Sequence, residues 1–182
     1  EKLGFMNYNK KDSTGICFIG ERNFKNFLKK FFSIQPGEIV NKNGQAIGQH
    51  QGLMYYTYGQ RQGLGIGGGY SSQEAPWYVS DKIIDENKLV VVQGQTNSDL
   101  YHTRLTASNV NWISGVPPQE SQNITAKIRY RSNDTSCQIN YRSNDMLIDF
   151  EQPQFAIAPG QSIVFYDQNV CLGGGFIETR GN

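Results

Sequence analysis

Ile124-Thr125-Ala126-Lys127-Ile128-Arg129-Tyr130-Arg131 sets apolar or aromatic residues at every second position against threonine, lysine and arginine. A period of two puts one face of a β-strand on a core and the other in water, and here the polar face is strongly basic. The stretch runs into Tyr130-Arg131-Ser132-Asn133-Asp134, a string repeated at Tyr141-Arg142-Ser143-Asn144-Asp145. Each copy ends a β-like run in turn-forming residues, as successive hairpins require. Further strands are predicted at residues 136–141, 146–150, 162–166 and 170–177. From about residue 99 onward the chain reads as all-β, and the set is compatible with a small closed barrel.

Upstream, residues 38–42 and 45–49 flank Asn43-Gly44, the signal of a two-residue type I′ hairpin. A second hairpin pairs 77–82 with 88–93 across the polar turn Asp85-Glu86-Asn87. Residues 21–32 are predicted as a short helix, because Phe24, Phe27, Leu28 and Phe31 recur on one face while Lys25, Lys29 and Lys30 fall elsewhere. Gln35-Pro36-Gly37 stops that helix. The fold class read from these elements is mainly β with some α.

The chain has 182 residues, enough for one large or two small domains. With 37% hydrophobic, 18% charged and 12% aromatic residues it has the composition of a soluble globular protein. No apolar run approaches the ~20 residues that span a bilayer, and Glu1-Lys2-Leu3-Gly4-Phe5 lacks a signal-peptide core, so no membrane partner is expected. Three cysteines, at 17, 137 and 171, make neither a paired framework nor a ligand cluster, which favours a reducing cytoplasm. A net charge of +1 excludes a chain that is basic all over but allows a local basic face. Lys25, Lys29 and Lys30 form one cluster and Lys127, Arg129, Arg131 and Arg142 another; the ordinary explanation of such clusters is a solvated surface.

Candidate chemistry begins with Cys17, a lone thiol in the polar segment Lys10-Lys11-Asp12-Ser13-Thr14-Gly15-Ile16-Cys17-Phe18-Ile19-Gly20. Nearby lysines would favour its thiolate, the nucleophilic form; flanked by Ile16 and Phe18, it also reads as a small buried hydrophobe. Gly63, Gly65 and Gly68 spell G-x-G-x-x-G, but Gly69, Ser71, Ser72 and Pro76 follow where a phosphate-binding loop must open a helix. The dinucleotide reading is rejected, and the glycines are read as allowing close backbone approach to another surface. His50 and His102 have no companions at metal-ligand spacing and are read as structural or surface residues, so no metal is expected. Cys137 and Cys171 alternate with apolar neighbours, which makes packing their default role. No Ser-His-Asp or paired-carboxylate arrangement stands out.

The blocks KKDSTGICFIGER (10–22), QPGEI (35–39), IGQHQGLMYYTYGQRQGLGIGG (47–68), PWYVSDK (76–82), PGQSIVFY (159–166) and VCLGGGFI (170–177), in this order, closely resemble the tRNA 2-thiouridylase family over nearly the whole chain. The resemblance implies a small α+β central domain, residues 21–96, followed by a C-terminal tRNA-binding β-barrel, residues 97–182. Residues 1–20 would be the tail of an ATP-pyrophosphatase domain. That domain carries a Ser-Gly-Gly-x-Asp-Ser loop, which does not occur here, so the chain is expected to be the enzyme's C-terminal half and inactive alone. ATP would then be a co-substrate bound outside it. The resemblance further implies that Cys17 is the cysteine persulfide intermediate, loaded by a sulfur-relay carrier protein, and that sulfur passes to C2 of the wobble uridine. Arg129, Tyr130 and Gln161 match tRNA-contacting positions, with tRNA and not DNA as the nucleic-acid partner. Guanidinium pairs with phosphate or stacks, tyrosine stacks, and glutamine hydrogen-bonds base edges or sugars. Strand alternation sends Arg129 and Tyr130 to opposite faces unless the strand ends or bulges there. The alternative functions are a non-catalytic RNA-binding barrel with an inert Cys17, and a secreted glycan-binding domain suggested by its tyrosines and by Asn-x-Ser/Thr strings at Asn123 and Asn133. The odd cysteine count and the lack of a signal peptide count against the last.

Overall fold

The computed structural model describes residues 30–31, 35–67, 75–119, 124–130, 132–142 and 145–182. Cys17 and almost all of the predicted helix at 21–32 lie outside these residues. The chain divides into two compact units, Glu1–Ile34 and Gln35–Asn182, and the second holds every element described below.

Gly37–Asn41 (β1), Ala46–His50 (β2), Trp77–Ile83 (β3) and Lys88–Gln93 (β4) form a four-stranded sheet in the order β2-β1-β4-β3. Both predicted hairpins are present, and β1 joins β4 in parallel. Ile39, Ile47, Val79, Leu89 and Val91 make its core, with Tyr56 and Leu64 of the following loop packed against them. The β1–β2 turn is not type I′. Such a turn needs positive φ at both central residues, whereas of Asn43 and Gly44 only Gly44 has it, at +79°. The Asn41 side chain dictates the alternative: its Oδ1 accepts from the backbone N–H of Asn43 and of Gln45, each at 3.0 Å. The Gly44 N–H donates to the Asn41 carbonyl at 2.9 Å, closing a longer loop in which glycine alone takes the left-handed position.

Tyr101–Trp112 (β5), Ile124–Lys127 (β6), Thr135–Tyr141 (β7), Met146–Phe155 (β8), Ser162–Asp167 (β9) and Val170–Gly181 (β10) close into a barrel, ordered β10-β5-β8-β7-β6-β9. Its interior holds Leu105, Ile148, Ile163, Phe165 and Ile177, all 0–1% exposed. At ~25 cal/mol per Å² of apolar surface, residues of this size contribute ~1.5–3 kcal/mol each on burial. β8 runs past its predicted end through Glu151, Gln152 and Pro153. The partners jump from Arg104↔Asp149 to His102↔Gln154, so Pro153 occupies an irregularity where its missing N–H breaks no ladder bond.

The expected α component is only weakly borne out among the described residues, whose helical structure is two single 3₁₀ turns, Leu53–Tyr55 and Ser98–Leu100. Of the two roles expected for it, structural or surface, His50 takes the structural one. It is 1% exposed, its Nε2–H donates to the Asn87 carbonyl at 2.9 Å, and its Nδ1 accepts from the Gly52 N–H at 3.0 Å, which sets the neutral tautomer.

Candidate functional site

β6 ends at Lys127, and its inward-outward alternation carries on only to Ile128. Ile124, Ala126 and Ile128 point into the barrel at 3%, 1% and 5% exposure, while Thr125 and Lys127 face out. Beyond Lys127 the backbone turns, with the Ser132 N–H donating to the Arg129 carbonyl at 3.1 Å and the Ser132 hydroxyl to the same oxygen at 2.8 Å. The strand therefore ends before parity can separate Arg129 from Tyr130. Both are on the outside, and Tyr130 is 76% exposed. The continuous basic strand face read from residues 124–131 is replaced by a strand end and a turn.

Gln161 arrives from the opposite side of the same region. Pro159-Gly160 occupies the centre of a type II turn: the Gln161 N–H donates to the Ala158 carbonyl at 3.2 Å, and Gly160 supplies φ +82°. The Ile177 N–H donates to the Gln161 carbonyl at 2.8 Å, which ties the turn to β10. β9 leaves this turn and pairs with β6 through Thr125↔Tyr166, Ala126↔Phe165 and Lys127↔Val164, so outward residues of the two strands stand side by side. The result is a cleft of about 320 Å³ in which Arg129, Tyr130 and Gln161 meet Lys127, Ser162 and Tyr166 over Ile128 and Val164. Sequence reasoning singled out the first three and placed Lys127 in a basic cluster. It missed Ser162 and Tyr166, whose only signal was an outward position on a predicted strand.

The charges in the cleft are held differently. Arg129 Nη2 donates to the Tyr58 and Ala156 carbonyls, both at 2.9 Å, and the guanidinium lies 5.8 Å from the Phe155 ring centroid. Burial pulls its pKa below the ordinary guanidinium value, yet it stays a cation at any physiological pH. Tyr58 belongs to the loop after β2, so Arg129 bridges that loop and the barrel. Next to the bridge Gly59 has φ +76°, and a Cβ there would fall 2.6 Å from Ala156 Cβ and 2.8 Å from Phe155 Cε1. Close approach thus explains Gly59 but not the described glycines of the G-x-G-x-x-G string. A Cβ would meet only Gln60 Nε2, at 3.9 Å, at Gly63 and nothing within 4 Å at Gly65, and both have positive φ, +75° and +65°, so backbone conformation is their reason; Gly68 lies outside the described residues.

A second contact between sheet and barrel centres on Tyr58. Arg180, at the end of β10, lies 4.1 Å from its ring centroid and donates to the Ser80 carbonyl at 2.6 Å and Asp81 Oδ1 at 3.0 Å. Lys82 approaches the same ring at 5.3 Å. Burial raises the Tyr58 pKa and lowers that of Lys82.

Among the described residues no three His, Cys, Asp or Glu side chains stand close enough to hold a metal ion, and no helix is long and apolar enough to cross a membrane. Cys137 is buried, and burial pushes its thiol up to about 12, in keeping with a packing role. Cys171 departs from that expectation by being exposed. A register irregularity between Cys171 and Gly173 shifts the alternation of β10, which turns Cys171 outward.

Two family descriptions match the chain: "tRNA methyl transferase PRC-barrel domain" over residues 25–93 and "Aminomethyltransferase beta-barrel domain" over residues 102–177. The chain is 52% identical over 178 residues to the tRNA-specific 2-thiouridylase MnmA of Hahella chejuensis, covering 98% of this chain and 49% of that protein. It is 53% identical over 177 residues to the MnmA of Nitrosomonas eutropha, covering 97% and 49%. The MnmA of Alcanivorax borkumensis is 51% identical over 179 residues, covering 98% and 49%. The chain thus spans about half the length of these curated relatives.

Proposed function

Because this chain belongs to the MnmA family of tRNA-specific 2-thiouridylases, we propose that it is the tRNA-docking and sulfur-accepting part of an enzyme that replaces the C2 oxygen of the wobble uridine with sulfur. One observation carries the docking reading: the adjacent Arg129 and Tyr130 and the sequence-distant Gln161 line one cleft. A guanidinium, an exposed aromatic face and a carboxamide in one open cleft suit RNA, which is read through phosphate pairing, base stacking and hydrogen bonds to base edges or the 2′-hydroxyl. An RNA-docking cleft on a chain of net charge +1 needs cations gathered locally, and Lys127 and Arg129 are gathered there.

For the sulfur step we assign Cys17, whose sequence block matches the family and whose position lies outside the described residues. In the proposed reaction the C2 oxygen of the base is adenylated at the expense of ATP, bound beyond this chain, with release of pyrophosphate. A sulfur-relay carrier protein loads Cys17 as a persulfide. The terminal sulfur attacks C2, and the oxygen departs with AMP. A second cysteine thiolate beyond this chain then cleaves the S–S bond, leaving sulfur on the base and a disulfide between the two cysteines. The setting is the cytoplasm.

The test uses the full-length enzyme. Cys17→Ser is expected to abolish thiolation while leaving tRNA affinity within about twofold, and Tyr130→Ala to weaken tRNA binding by ~1–3 kcal/mol through lost stacking. Thiolation that survives Cys17→Ser removes the sulfur-accepting role and leaves an RNA-binding barrel module. Wild-type affinity in Tyr130→Ala removes the cleft from the docking surface.

A further inference from the structure

The two cations of the cleft differ in what occupies them. Arg129 Nη2 is committed to two backbone carbonyls that hold the sheet's loop on the barrel. Lys127 Nζ instead makes an ion pair with a side chain, 2.9 Å from Asp134 Oδ1, and lies 5.5 Å from the Tyr166 ring centroid. Its placement follows from the backbone. It is the last residue of β6, its outward neighbours sit on β9, and Asp134 immediately precedes β7. The Lys127 and Asp134 side chains are 30% and 34% exposed, so an incoming anion can reach the ammonium without unfolding anything.

We propose that Lys127 is the cleft's contact for an RNA backbone phosphate and that Asp134 holds it in the RNA-free protein, its carboxylate being displaced when the phosphate arrives. This rests on the docking reading above. A phosphodiester and a carboxylate each carry one negative charge, so exchanging one for the other on the ammonium is nearly balanced in Coulomb energy. What tips the exchange is release of the condensed cations of the RNA, together with contacts from the neighbouring Tyr130 and Gln161. Asp134 is then a self-competitor: it keeps Lys127 extended over Tyr166 and lowers the affinity of the cleft for any anion that lacks those further contacts. The arrangement favours a polyanion with bases over free phosphate.

The consequence is an affinity that rises when a native ion pair is broken. The 182-residue chain, its variants and a fluorescently labelled, unmodified tRNA transcript serve for anisotropy titrations between 50 and 200 mM salt. Asp134→Asn is expected to tighten binding ~3–10-fold, and Lys127→Ala to weaken it ~3–10-fold while lowering the salt slope by about one. In the Lys127→Ala background Asp134→Asn is expected to bring no gain. Millimolar inorganic phosphate at matched ionic strength is expected to leave tRNA affinity unchanged. With thermal unfolding showing both variants folded, an unchanged or weaker Asp134→Asn overturns the proposal, as does a wild-type salt slope in Lys127→Ala. Saturable competition by phosphate that vanishes in Lys127→Ala makes this a free-phosphate site and overturns the RNA assignment. Failure of the wild-type chain to bind tRNA at any salt overturns the docking reading as well, whereas binding that ignores Lys127 and Asp134 overturns this inference alone.

Discussion

Arg129 has two roles to separate, one in packing and one in the proposed recognition of RNA. Its two bonds to carbonyls on different parts of the fold make it a rivet, while it also lines the cleft proposed to dock RNA. Arg129→Ala is therefore expected to cost ~1–3 kcal/mol of stability, from carbonyls left without a charged donor, in addition to weakening tRNA binding. Urea unfolding and tRNA titration at several salt concentrations separate the effects. Lysine at 129 is expected to restore charge but not the paired bonds, giving partial recovery of each. Stability unchanged in Arg129→Ala would show that the rivet carries nothing. Among the thiols, Cys137 is buried with a pKa pushed up to about 12, whereas Cys171 is exposed. Brief alkylation of native protein followed by peptide mass spectrometry is expected to label Cys171 and spare Cys137, with Cys137 reacting only after denaturation. Labelling of Cys137 at the rate of Cys171 would contradict a closed barrel core.

At the scale of elements, the loop from Tyr56 to Gly67 matters because it pairs with β3 and touches the barrel at once. The Gly59 N–H donates to the Val79 carbonyl at 2.8 Å, and the Val79 N–H to the Gln60 carbonyl at 3.0 Å. Gly59→Ala adds left-handed strain and a Cβ inside van der Waals range of Ala156 and Phe155, whereas Gly65→Ala adds the strain alone. Alanine in a left-handed conformation costs ~1–2 kcal/mol, so Gly65→Ala is expected at about that figure and Gly59→Ala clearly above it. Equal unfolding midpoints for the two variants would mean that the loop lifts off the barrel freely. β6 makes the complementary point: four residues long, it delivers Lys127 to the cleft and ends in time for the next turn to present Tyr130.

For the molecule as a whole, sheet and barrel belong to one compact unit, Gln35–Asn182, and Arg180 stacked on Tyr58 is a principal tie between them. Its side chain is only 11% exposed, so Arg180→Ala leaves the Ser80 carbonyl without that donor and opens space against the Tyr58 ring. Differential scanning calorimetry is expected to show one transition for the wild type and a midpoint several degrees lower in Arg180→Ala. The same junction sets a pH dependence. Burial, and secondarily Arg180, hold the His102 pKa below its ordinary 6.5. The unfolded chain then takes up a proton that the folded chain refuses, so this contribution is complete above about pH 6.5 and is lost as the pH falls below it. His102→Gln is expected to flatten the stability profile between pH 7 and 5, measured by urea unfolding. A slope identical to wild type would mean that His102 titrates freely.

Local pattern determined much of this protein. Period-two alternation at residues 124–128 and in the later strands specified a β-structure with defined inner faces, because a strand can hide only alternate side chains. The polar run Asp85-Glu86-Asn87 between two apolar runs specified the second hairpin, because such residues favour a turn. The isolation of His50 pointed to a structural or surface histidine, and the ordered sequence blocks pointed to the family. Tertiary structure decided the rest. Whether Arg129 and Tyr130 share a surface depended on where β6 ends, which pairing with β9 and the turn at Ser132 settle. Tyr166 entered the cleft only through a register between strands that are distant in sequence. Cys171 turned outward at an irregularity that alternation alone does not reveal. Such features arise from closing six strands on one another, an energy shared among residues far apart in the chain, so no local window of sequence contains them.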